Sequence, residues 1–410
     1  MRLTMQLLTK IRVRVNQILF SLRDVYSHLK DGDVYENWKY VLTLIHLEQE
    51  DEETASSLRE SLIRVSVICW LFVSSFRMGF TVLLNVDGIG HHVWGNSLFH
   101  IGAIGKLACV CCGIILIQNT LFMAAFFRMN QKKELVFLST LRRLTRHQDR
   151  EVRRVKTELA RQVMKLAFAA YCVILVGSWI NVTSVCIVSC YLSKTMMERV
   201  MWIFWWTQDI LLLTLAVATF VFPPTVWMFL VSSLRMDMRN LKNKLSQGIG
   251  VHVYHECEDR YNRLITDVIA MTPLFSSILT IYNLCSTSLV CTLAYTLHHL
   301  DNIMFTLSIL LAGGPMMMMG IAFLALATQI NSAADQLHEQ MSRFAAVNSR
   351  LITAEKRRRL LKMLEELGSE DRMLALYTPD GKFTSETFLF YVIEMAMFYT
   401  LLVTLDNFFM

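Results

Sequence analysis

The sequence predicts an all-α polytopic membrane protein with seven transmembrane helices. Three observations carry that prediction: seven long apolar segments, a composition 54% hydrophobic with five prolines in 410 residues, and basic residues gathered on alternate loops. The segments fall at about 62–85, 97–126, 166–192, 200–232, 267–297, 303–331 and 387–409. Each reaches the ~20 apolar residues that a hydrocarbon core requires. Several are longer, so they tilt or continue as helices into the cytoplasm. The extra turns of the fourth, fifth and sixth predict a cytosolic helical layer. Residues 1–61 then form a cytoplasmic amino-terminal region, and 62–410 a single membrane domain.

The direction of crossing follows from charge. Of the 40 Lys and Arg residues, 36 lie on the side that carries the amino terminus: Arg2 to Arg64, Arg128 to Lys165, Arg235 to Arg263 and Arg343 to Lys382. Lys194 and Arg199 lie on the other side, and Arg77 and Lys106 sit within spans. Because cytoplasmic loops hold the basic excess, the amino terminus is expected in the cytoplasm and Met410 outside, in a multi-pass plasma-membrane protein. That is the reverse of a G-protein-coupled receptor. The net charge of +6 serves orientation and anionic lipid headgroups, and nucleic-acid binding is excluded.

Residues 3–25 place Leu7, Leu8, Ile11, Val15, Ile18, Leu19 and Leu22 at helical spacing, with Lys10, Arg12, Arg14 and Arg23 between them. An amphipathic basic helix results, packed on the bundle or lying on the inner leaflet. The run Glu48-Gln-Glu-Asp-Glu-Glu53 reads as a solvated loop. Nine of the ten cysteines lie within spans and Cys257 in a cytoplasmic loop, so an extracellular disulfide is not expected unless Cys190 finds a partner. The first long apolar run begins near Leu62, which argues against a cleavable signal peptide.

Several motifs are decoys. Asp259-Arg260-Tyr261 spells a tripeptide of G-protein-coupled receptors, but it precedes the fifth span in a chain of opposite direction. His252, His255 and Cys257 have ligand chemistry without a second pair to complete a tetrahedral metal site. His91, His92, His298 and His299 fall in short outer loops as solvated residues. No phosphate-cradling glycine loop, zinc-hydrolase helix or nucleophile elbow is present, so no enzyme activity and no cofactor are expected. Pro223-Pro224 and Gly313-Gly314-Pro315 remove helix hydrogen bonds, which predicts bends in spans four and six.

The seventh segment carries a pattern the others lack. Thr400, Thr404 and Asn407 fall at steps of four and three on one helical face, with Val403 beside them. A polar stripe on a membrane helix faces protein or water, so it reads either as interhelical hydrogen bonding or as pore lining. The stretch Thr400-Leu-Leu-Val-Thr-Leu-Asp-Asn-Phe408 resembles the carboxy-terminal signature of arthropod gustatory receptors, Thr-Tyr, five mostly apolar residues, then Gln-Phe. Thr400 and Phe408 match, while Leu401 stands for Tyr and Asn407 for Gln. Asp380-Gly381-Lys382-Phe383 is similar to the family's approach to its last span. The family plan also agrees in length, direction, seven spans and short outer loops.

The resemblance implies a chemosensory, ligand-gated, non-selective cation channel. Four subunits, alike or mixed with related ones, would surround a pore lined by the seventh helix and be held together by a cytoplasmic anchor. By position, Val403 matches the constriction face and Asn407 with Phe408 the outer gate. Thr400 and Thr404 share the pore stripe, and Asp406 would add a ring of carboxylates that concentrates cations. The family's ligand cavity lies among spans two to six in the outer half of each subunit, and the implied ligand is a small-molecule tastant.

Lys106, Asp209, Trp202, Trp205 and Trp206 fall at that depth, with Tyr282 and Tyr295 as further candidates and Trp179, Asn181 and Phe305 behind them. They read either as a pocket with a Lys106–Asp209 polar floor or as a structural ion pair with interfacial Trp anchors. Arg77, on span one, is expected to be too peripheral to touch ligand. Glu394 lies deeper in span seven, either paired with a basic residue or facing an inner vestibule. The competing reading is a seven-span superfamily member with a membrane-scaffold or developmental role and no channel activity. A transporter would show repeated halves, and none are visible.

Overall fold

The computed structural model describes residues 56–83, 113–125, 150–247, 257–264, 303–347, 353–368, 377–378, 381–382 and 385–409, with single positions at 266, 281, 291, 294 and 295. The amphipathic segment 3–25, the acidic run 48–53 and most of the fifth expected span lie outside them. Seven helices are described at length: α1 (Ser56–Leu83), α2 (Gly113–Ala125), α3 (Arg150–Leu192), α4 (Met196–Gln247), α5 (Ile303–Val347), α6 (Ala354–Gly368) and α7 (Ser385–Phe409). Between α6 and α7, Tyr377–Thr378 pairs antiparallel with Gly381–Lys382. Among the described residues the architecture is otherwise helical. Within the described residues, Glu151–Leu192, Met196–Gln247 and Gly314–Val347 are long and apolar enough to cross a membrane.

Three helices overrun their expected spans at their polar ends. α3 starts at Arg150 rather than near 166, α4 ends at Gln247 rather than near 232, and α5 ends at Val347 rather than near 331. At ~1.5 Å per residue the 52 residues of α4 extend about 78 Å, against a hydrocarbon core of about 30 Å. The polar ends therefore form a separate layer beyond the apolar one.

α3, α4 and α5 pack pairwise, and α4 is the central element. Every residue of α4 from Ala216 to Trp227 is buried, so this stretch has no outward face and reads apolar all round. Trp227 stacks on Phe323 of α5 with ring centroids 3.8 Å apart. Pro223 and Pro224 lie inside that run, where they lack the N–H groups that would reach the carbonyls of Thr219 and Phe220. α4 nevertheless continues as one helix, because packing on all sides holds it, and α5 likewise runs through Pro315.

In the polar layer, fully buried Lys156 of α3 donates to Asp237 of α4 at 2.6 Å. Arg235 and Lys242, seven residues apart on α4, donate to Gln329 and Gln336, seven apart on α5. Both pairs span 94 residues, so α4 and α5 run parallel here in one register. The Tyr261 hydroxyl donates to the Met363 carbonyl of α6 at 3.1 Å, and its ring is fully buried. That gives the tyrosine of the receptor-like tripeptide a structural role.

Candidate ligand site and pore helix

Trp202, Trp205, Trp206 and Asp209 stand at i, i+3, i+4 and i+7, and so form one stripe of α4. Trp202 is buried, and Trp205, Trp206 and Asp209 are half-buried. Arg77 of α1 ion-pairs with Asp209, and its guanidinium lies 4.6 Å from the centre of the Trp205 ring. An arginine in this apolar setting gains from both: the carboxylate neutralises it, and the negative ring face offsets lost water. Trp206 donates its indole N–H to the Thr183 hydroxyl of α3 at 3.2 Å.

The facing stripe on α3 is Trp179, Thr183, Cys186 and Cys190, at steps of four, three and four. Cys186 approaches the Trp202 carbonyl at 3.8 Å and the Cys190 sulfur at 3.9 Å, and both thiols are free. Trp179 differs from Trp206, because its indole N–H is buried without an acceptor. It is a donor left unsatisfied inside the protein.

The structure thus brings together Asp209, Trp202, Trp205 and Trp206, and adds Arg77 as the partner that the sequence did not assign to Asp209. Lys106 and Tyr282 lie outside the described residues. Tyr295 is described and half-buried, Asn181 is half-buried, and Phe305 lies in the first turn of α5. A second polar focus had no place in the sequence reading. Gln118 and Asn119 of α2 are fully buried, and neither amide group has a partner. Its signal was a Gln-Asn pair inside the apolar run Ile114 to Phe122. Among the described residues no group of three His, Cys, Asp or Glu could hold a metal ion.

α7 lies at the margin of the bundle. Tyr391 is buried, Met395 and Tyr399 are half-buried, and Met395 accepts a thiol hydrogen bond from Cys291 at 3.1 Å. The opposite face, Ile393, Met397, Thr400 and Thr404 at steps of four, three and four, is exposed, as is Glu394 at its flank. Val403 is half-buried. The helix runs on through Asp406, Asn407 and Phe408.

One expectation changes. Thr400 donates to the Ala396 carbonyl and Thr404 to the Thr400 carbonyl, both at 2.8 Å. These hydroxyl protons are satisfied within the helix, so the threonines alone do not require water. A carboxylate such as Glu394 is far costlier against lipid, at roughly 2.5–3.5 kcal/mol for an acidic residue in mid-membrane on insertion scales.

The fold is that of insect olfactory receptors. Two structures of the olfactory receptor OR5 from Machilis hrabei are similar to this chain, one in complex with eugenol. The complex matches with a TM-score of 0.66 at 13% identity over 93% of this chain and 99% of that one. The other matches with a TM-score of 0.64 at 14% identity over 91% and 100%. No protein-family model and no curated protein matches the sequence.

Proposed function

We propose that the protein is a subunit of a chemosensory, gustatory-type cation channel in the plasma membrane, with seven spans and a cytoplasmic amino terminus. The observation that carries the reading is α7, whose face away from the bundle bears Thr400 and Thr404, with Glu394 at the flank. Lipid offers that carboxylate no favourable environment and no described residue is seen to pair with it, whereas a water path between neighbouring copies would solvate it. Four copies of α7 around an axis supply such a path, with Val403, Thr404, Asp406, Asn407 and Phe408 at its outer part. The resemblance of Thr400–Phe408 to the gustatory signature and the whole-chain likeness to olfactory receptors support the same reading.

The ligand, a small tastant, enters the outer-half cluster of Trp202, Trp205, Trp206 and Asp209, with Lys106, Tyr282 and Tyr295 as further wall residues. The unsatisfied Trp179 indole offers it a hydrogen-bond donor. Recording current from cells expressing the chain, alone and with related subunits, across sugars, bitter compounds and acids tests this proposal. Ligand-evoked cation current whose leak or permeation changes in Val403→Ala and Asn407→Ala is the expected result. A surface-expressed chain that stays silent in every combination favours the scaffold alternative, to which Leu401 and Asn407 in place of Tyr and Gln give some weight.

A further inference from the structure

Arg235, Arg239 and Lys242 lie at i, i+4 and i+7 on α4, within one face, while Asp237 points the opposite way to Lys156. Arg235 and Lys242 reach only neutral amides, Gln329 and Gln336, and Arg239 is exposed. Among the described residues, three cations therefore converge without a carboxylate paired to them. Burial and the neighbouring Arg239 push Arg235 below its usual value, as expected of like charges held together. On the facing helix, Glu339 is engaged by Arg343, and Asp335 also has an interaction of its own.

Depth gives the cluster its meaning. Between Asp209 and Arg235 α4 carries no charged residue, so Arg235 marks the point where the apolar layer ends. Arg239 and Lys242 stand about 6 and 10 Å further along the axis, within and just beyond the headgroup layer. Leading down to them on α5 are Met318, Ile321, Ala325 and Gln329, at steps of three, four and four. Met318 and Ile321 are exposed. An apolar lane thus ends on a cation cluster at interfacial depth.

We propose that the basic face of α4 beside α5 holds the headgroup of a polyphosphorylated inositol lipid. The phosphodiester lies against Arg235 at the interface, the ring phosphates reach Arg239 and Lys242, and the acyl chain follows Met318 and Ile321. Gln329 and Gln336 hold two of the cations extended without neutralising them, which leaves their charge for phosphate. The inference rests on the chain crossing a membrane but not on channel activity. A failed current measurement leaves it standing.

The test uses the full chain in phosphatidylcholine nanodiscs, titrated with phosphatidylinositol 4,5-bisphosphate and read by native mass spectrometry. At about fivefold per cation, Arg239→Gln should weaken retention about fivefold, and the triple change R235Q/R239Q/K242Q on the order of 100-fold. Changing exposed Arg357, Arg358 and Lys362 of α6 to Gln should leave retention unaltered. Arg239 is exposed and has no hydrogen bond among the described residues, so its variant reports on the site even if the triple variant misfolds. Equal retention by wild type and Arg239→Gln overturns the proposal. So does equal retention of phosphatidylserine at matched charge, which marks a nonspecific basic surface. Soluble inositol trisphosphate binding as tightly as the lipid overturns the lipid assignment.

Discussion

Arg77 on α1 and Asp209 on α4, 132 residues apart in sequence, form a buried ion pair capped by the Trp205 ring. The pair ties the first helix to the central one at the depth of the aromatic cluster. Side-chain exposures of 7% and 19% leave little water to replace either partner.

Removing Asp209 takes away the carboxylate that neutralises the buried Arg77 guanidinium. Asp209→Ala is expected to destabilise the protein by about 3–5 kcal/mol, and the double change Arg77→Met with Asp209→Leu to recover most of the loss. Thermal unfolding in detergent, followed by tryptophan fluorescence, checks both. A double variant no better than the single would show that the pair is not self-contained.

The same logic separates two ion pairs of the polar layer. Asp237→Ala, which leaves the fully buried Lys156 ammonium unpaired, should cost about 3–5 kcal/mol. Glu339→Gln, which breaks an exposed i,i+4 pair with Arg343, should change stability by less than about 0.5 kcal/mol. Comparable losses from the two would refute the burial argument.

Trp227 and Phe323 form the packed centre of the α4–α5 interface. Trp227→Ala should cost about 3–5 kcal/mol through lost burial and the cavity left behind, whereas Trp227→Phe should cost less by keeping a ring on Phe323. Denaturant midpoints of the two variants give the comparison.

A methyl group at Gly314 would meet nothing within 4 Å. Close packing within the chain therefore does not require the glycine, and Gly314→Ala should stabilise α5 by about 0.5–1 kcal/mol. Thermal unfolding of the wild type and the variant in detergent checks it.

Trp179→Phe deletes an indole N–H that has no acceptor. Stability should hold within about 1 kcal/mol, because no internal hydrogen bond is lost. Under the proposed function, the ligand concentration for half-maximal response should rise about fivefold or more, the equivalent of one lost hydrogen bond. Melting curves beside dose–response curves distinguish this from a packing defect.

The helices were legible because apolar length is a local property, as in α3, α4 and α5. The polar extensions of α4 and α5 were anticipated as part of a helical layer and that of α3 was not, and all three ends lay beyond the expected boundaries, since charged residues continue a helix as readily as apolar ones. The aromatic stripe was also visible as composition. Its partner was not: Arg77 and Lys106 are both isolated charges in apolar runs, and the sequence gives no distance from either to Asp209.

Periodicity likewise placed Thr400 and Thr404 on one face of α7, but not where their hydroxyl protons go. That depends on side-chain rotamers, which bond them back to their own helix. What the sequence determined alone was the apolar helices α3, α4 and α5, because hydrophobic length acts residue by residue. Only the tertiary structure decided that Asp209 meets Arg77 and that Arg235, Arg239 and Lys242 converge beside α5, because pairing depends on how separate helices are set against one another.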